Sequence, residues 1–232
     1  MDAELSPSVL DGLFEGGPSR SSVLIETAVK GTIKNMLNQK GRANAALALL
    51  LLASFALACS QLKNLGNKGS GGGEVNKLVQ EAKDDLDAVE KIQDENEDRV
   101  SKINQAENAN DAAEVKKQLN EAIEAIDKGL ERGNSAVDKI DRASKIETDP
   151  TYKEYLSFKA QAFRKQVDAF KKLREAAVIE RDNFGKGGDA EKKAIADFRK
   201  AYADYKKLLN EAKDLHRKAD EIARKNPDKI KG

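Results

Sequence analysis

Between residues 74 and 225 apolar side chains recur in steps of three and four, broken by only three short turn-forming stretches. That spacing lines them up on one stripe of an α-helix. It does not fit the period of two that a half-buried strand needs. The breaks read "ENAND" (107–111), "ETDP" (147–150) and "GKGG" (185–188), and Pro227 stops the last repeat. Four helices are expected, at about 74–107, 111–146, 151–184 and 189–225. Each is about 35 residues long, roughly 50 Å of helix at 1.5 Å per residue. Asp111, Asp149 and Asp189 stand where N-caps or first-turn acids satisfy free N–H groups.

The stripes can be read residue by residue. The first helix offers Val75, Val79, Ala82, Leu86, Val89, Val100 and Ile103, with a polar gap at Gln93 and Asn96. The second offers Val115, Leu119, Ala122, Ile126, Leu130, Val137 and Ile140. The third offers Tyr152, Leu156, Phe163, Val167, Phe170, Leu173 and Ala177. The fourth keeps an unbroken heptad rhythm through Ile195, Phe198, Tyr202, Tyr205, Leu209, Ala212, His216, Ala219 and Ala223. Four prolines, no tryptophan and abundant Ala, Leu, Lys and Glu agree with helix throughout. Equal lengths and short connections predict an all-α fold, a long antiparallel four-helix bundle in up-down-up-down order. The alternatives are two long hairpins, or a longer coiled coil that completes its core by oligomerising.

Charge and aromaticity divide the helices into two pairs. The first segment carries 11 acids and 5 bases, net −6, and the second 9 and 7, net −2. The third has 8 bases and 5 acids and the fourth 11 and 8, so both are +3. An acidic hairpin therefore precedes a basic one, and the two attract when packed. Nine of the eleven aromatics lie between Tyr152 and Tyr205, so the first hairpin is expected to be thinly cored and looser. A net charge of +1 over 232 residues supplies no bulk attraction to nucleic acid or to an acidic substrate.

Ahead of the helices stands "ALALLLLASFALACSQ" (46–61), which holds the chain's single cysteine, Cys59. Its apolar part, Ala45–Ala58, is 14 residues, short of the roughly 20 a spanning helix needs and suited to a signal-peptide core. Lys40 and Arg42 precede it as a positive n-region, and small Ala56 and Ala58 stand just before Cys59. Residues 36–60 resemble the signal peptide and lipobox of bacterial lipoproteins. The order here is Ala56, Leu57, Ala58, whereas that family prefers Leu first and a small residue next. The resemblance implies that the Cys59 thiol receives a diacylglyceryl group and that the chain is cut before it. The new amine is then acylated. It also implies recognition through Ala56, Leu57 and Ala58. A non-Asp residue at Ser60 is compatible with outer-membrane sorting where an outer membrane exists. Two or more acyl chains anchor stably without a spanning helix.

Starting at Met36 gives a signal peptide of ordinary length, so residues 1–35 are expected to be an over-called start or a disordered extension. The domain reading is then 36–58 signal peptide, 59–73 lipidated Cys with a Gly/Ser-rich tether, 74–226 helical domain and 227–232 tail. "SQLKNLGNKGSGGG" (60–73) is a flexible coil by composition.

Chemistry-bearing motifs are sparse. His216 is the only histidine; it lies on the heptad stripe and is expected to be a partly buried seam residue able to titrate near neutral pH. "DENEDR" (94–99) opens like a calcium loop. It has Arg99 where the loop needs Gly and Gln105 where it needs Glu, so it is read as a solvated acidic face. "GKGGD" (185–189) lacks the phosphate-loop spacing and is read as a helix–helix turn. "FKAQAFRKQVDAFKKLR" (158–174) interleaves aromatics with six bases. It is read as a core stripe backed by a basic face, or else as a contact for anionic headgroups or acidic cell-wall polymer. No catalytic residue, metal ligand or cofactor is assigned. The expected function is a lipid-anchored, exported envelope protein with a non-catalytic structural or protein-interaction role and no nucleic-acid partner. The alternative is a module that binds an apolar or peptidic envelope ligand.

Overall fold

The structure, a computed structural model, describes residues 73–230, without the side chains of Gln93, Asp94, Asn96, Glu97, Asp98, Val100 and Glu107. It is all-α and bundle-like: among the described residues there are four helices and no strand. They are α1 (Gly73–Asn108), α2 (Ala112–Ile146), α3 (Pro150–Asn183) and α4 (Asp189–Lys225). The sequence-read boundaries hold to within a residue or so, because each break carries a specific device.

At the first turn Asn110 takes the left-handed conformation, φ 60°, and Asp111 N–H reaches back to Ala106 C=O at 2.8 Å, closing α1. The Asp111 carboxylate then accepts from the N–H groups of Ala113 and Glu114, opening α2. At the second turn Glu147 Oε1 accepts from the N–H groups of Thr148 and Asp149. Asp149 caps Thr151 and Tyr152, with Pro150 in the first helical turn. The third turn uses Gly185 and Gly188 at φ 78° and 76°. The N-cap of α4 is Gly188, without a side-chain cap bond, and Asp189 is a first-turn acid.

Cross-helix contacts set the direction. Asp85 meets Arg132 and Lys139, and Arg99 meets Glu121. Asp141 meets Arg164, Asp127 meets Arg174, and Asn120 meets Arg181. Lys159 meets Asp220, and Lys165 meets Glu211. Partner numbers fall as residue numbers rise, so each helix runs antiparallel to the one before. The extensive interfaces are α1 on α2, α2 on α3 and α3 on α4; α1 and α4 share none of comparable extent.

The main core runs through all four helices. Its deepest large side chains include Tyr152, Tyr155, Leu156, Phe163, Leu173 and Tyr205. A second cluster of Ile103, Ala106, Val115 and Leu119 sits against Phe184. The expectation of a thin first hairpin needs correcting in part. Val75, Val79, Ala82, Leu86 and Val89 are buried as deeply as the aromatics of α3.

After α4 the chain folds back. Ile230 is buried, and Lys229 lies 2.9 Å from Asp149 at the start of α3.

Candidate functional site

The residues expected to be lipidated or read by a peptidase, Cys59 with Ala56, Leu57, Ala58 and Ser60, lie outside the described residues, as do all of residues 1–72; Gly73, the last residue of the expected tether, opens α1 instead. Within the helices, two clusters of buried polar groups join neighbouring helices; Gln118, Ser144, Gln166 and Glu180 are buried outside them.

The first joins α3 and α4. Lys159 and Phe163 are one turn apart on α3, and His216 and Asp220 are one turn apart on α4; the two pairs face each other. Lys159 is fully buried, with Nζ 2.9 Å from Asp220 Oδ1 and 5.5 Å from the centre of the Tyr155 ring. His216 is 1% exposed and stands edge-on to Phe163, with centroids 5.0 Å apart at 71°. Neither of its nitrogens has a hydrogen-bond partner among the described residues. Burial, reinforced by the charge of Lys159, pushes its pKa down to about 3. The expectation of a seam histidine titrating near neutral pH is therefore half right: the position is on the seam, but the ring is sealed and stays neutral. A neutral imidazole with no solvent path offers a substrate neither a proton nor a lone pair in this conformation.

The second cluster joins α1 and α2. Asp85 is 4% exposed and accepts from Lys139 at 2.6 Å and Arg132 at 3.2 Å. Desolvation pushes its pKa up, but hydrogen bonds from Lys139, Ser135 and Arg132 outweigh it and hold the carboxyl below its usual value. Lys159 and Asp85 escaped the stripe reading, although each had a signal. Lys159 interrupts the apolar series Leu156–Phe163, and Asp85 interrupts Ala82–Leu86. A charge at a seam position marks a cross-helix partner.

The basic stretch 158–174 resolves clearly. All six of its bases are ion-paired. Asp141 and Asp127 on α2 take Arg164 and Arg174, and Asp220 and Glu211 on α4 take Lys159 and Lys165. Lys171 and Lys172 pair within α3 with Asp168 and Glu175. Phe163 and Phe170 are buried. The stretch is a core stripe whose charges fasten α3 to both neighbours, and the attraction expected between acidic and basic hairpins runs through Asp127 and Asp141. "DENEDR" lies inside α1, and "GKGGD" is the α3–α4 turn. Among the described residues no three His, Cys, Asp or Glu side chains converge as metal ligands. One cavity of about 30 Å³ lies at the α3–α4 tip between Ile179, Glu180, Phe184, Ile195 and Phe198, room for about one water molecule. No described helix is long and apolar enough to cross a membrane.

Compared with known protein families, curated proteins and solved structures, the chain matches none.

Proposed function

We propose that this chain is a bacterial lipoprotein, exported and cut before Cys59, which displays a non-catalytic helical domain at the envelope surface for a structural or protein-interaction role. The observation that carries the reading is in residues 40–59: a basic flank, 14 apolar residues, small side chains and a lone cysteine, in that order. The lone thiol is then an acylation site, and the Gly/Ser-rich stretch to residue 73 is the tether. Four helices in up-down-up-down order, with α2 and α3 inside and α1 and α4 at the edges, form the displayed bundle. Asp85 and Lys159, buried inside it, are engaged in holding helices together, which suits a scaffold.

The test is the intact mass of the N-terminal peptide from membrane-extracted protein. A peptide beginning at an acylated Cys59 is expected, and Cys59→Ser should leave an unacylated, uncut chain that retains residues 36–58. A free thiol on a chain that retains residues 36–58 would overturn the proposal.

A further inference from the structure

The bases of α4 behave unlike those of α3. All eleven are exposed, and ten of them form five adjacent pairs: Lys192–Lys193, Arg199–Lys200, Lys206–Lys207, Arg217–Lys218 and Arg224–Lys225. Successive pairs are 7, 7, 11 and 7 residues apart. Seven residues fall about 20° short of two turns and eleven overshoot three by as much, so the one long step takes back part of the drift and the total stays within about 40°. The pairs therefore stay on a single face, opposite the buried stripe of Phe198, Ala201, Tyr205, Ala212, His216 and Ala219.

The N-terminal three pairs form the cleanest stretch. Between them on that face stand only Ala196 and Ala203, with Asn210 beyond. The acids of this stretch lie to one side of the ridge: Glu211 is 2.7 Å from Lys165, and Asp197 and Asp204 line the groove between α3 and α4 beside Lys171 and Lys172, a groove that Lys200 of the ridge also borders. Lys193, Arg199, Lys200 and Lys207 make no ion pair among the described residues. The result is a convex ridge of six bases, about 22 Å long from residue 192 to 207 at 1.5 Å per residue, in which Lys192 is paired with Asp189 at 3.0 Å and Lys207 feels the charge of Glu211.

We propose that this ridge of α4 rests on an anionic lipid bilayer. A convex ridge with small residues between its charges fits a flat array of phosphates better than a cleft-seeking peptide. The proposal builds on the lipid anchor at Cys59. Only 13 residues, 60–72, separate Cys59 from the start of α1, a Gly/Ser-rich composition whose coil reach would be roughly 20 Å, so the proposed anchor keeps the domain near the headgroups. α4 is also an edge helix, so the ridge is accessible along its length. Six aligned bases supply a binding that salt weakens.

The test uses the full chain carrying Cys59→Ser, so that no acyl chain contributes. Binding is measured to vesicles of phosphatidylcholine alone and to vesicles with about one third phosphatidylglycerol. The expected result is more than tenfold preference for the anionic vesicles, abolished in 0.5 M NaCl. Lys193→Gln, Arg199→Gln, Lys200→Gln and Lys207→Gln together should remove the preference while the circular dichroism melt stays unchanged. Lys193→Arg, Lys200→Arg and Lys207→Arg should keep it, which separates charge from fold. No preference in the unsubstituted ridge, or a preference that survives the four glutamines, would overturn the proposal. So would salt-sensitive dimerisation without vesicle binding, because the ridge would then face the acidic α1 of a second copy. An unmodified Cys59 with the vesicle preference intact would sink the anchor alone and leave the ridge standing.

Discussion

At the residue scale the decisive group is His216. The unfolded chain binds its proton near pH 6.5, whereas the folded ring resists protonation down to about 3. Stability is thus complete above 6.5 and declines as pH falls through that value toward 3. Between pH 7.5 and 5.5 the unfolding equilibrium constant should rise about tenfold, or about 1.4 kcal/mol. His216→Leu should flatten that dependence, and urea titrations at the two pH values would show it; an equal decline in both proteins would refute the assignment. Two glycines of α2 make a second contrast. A Cβ on Gly129 meets nothing within 4 Å, so Gly129→Ala should raise stability by about 1 kcal/mol through helix propensity. A Cβ on Gly133 meets Val167 Cγ2 at 3.0 Å, so Gly133→Ala should lose most of that gain. Thermal melts of the two variants check the pair.

At the scale of elements, the turns are separate devices and should fail separately. Asp111→Ala removes the acceptor for two N–H groups and should cost about 1 kcal/mol, measured by denaturant titration. Asp149 has two tasks: it caps α3 and holds Lys229, and those bonds keep its carboxyl below the usual carboxylate range. Asp149→Ala should therefore release the segment after Lys225 as well as loosen α3. Limited proteolysis would show faster cleavage beyond Lys225 in Asp149→Ala than in Asp111→Ala; equal rates would mean that the pair with Lys229 holds nothing. These caps were legible in the sequence, because a cap is a local matter of one side chain and the next three N–H groups.

At the scale of the whole molecule, the order of packing predicts the order of opening. α2 and α3 each bury surface against two neighbours, whereas α1 and α4 have one extensive interface each. Amide exchange should be slowest in α2 and α3 and faster along the outer helices, with α4 slower near His216 and Tyr205 than at either end. Exchange read by mass spectrometry on peptides from each helix checks this. Uniform protection across all four helices would mean that they open as one unit.

The sequence by itself determined the helices, their lengths, their caps and turns, and the stripe each presents, because all of these follow from the spacing of residues along one chain. It also carries, in residues 40–59, the order of basic flank, apolar run and cysteine on which the proposed anchor rests. Only the tertiary structure decided which helices share long interfaces, that Lys159 and His216 are sealed together, and that the bases of 158–174 are neutralised while those of α4 face water. Those outcomes depend on which helix face meets which. Lys159 and Asp220 are sixty-one residues apart, and no local pattern records that their charges cancel. The rhythm of α4 was visible as a stripe of apolar residues, yet its second rhythm, the basic pairs on the opposite face, gained meaning only once the neighbours of α3 had claimed the other charges.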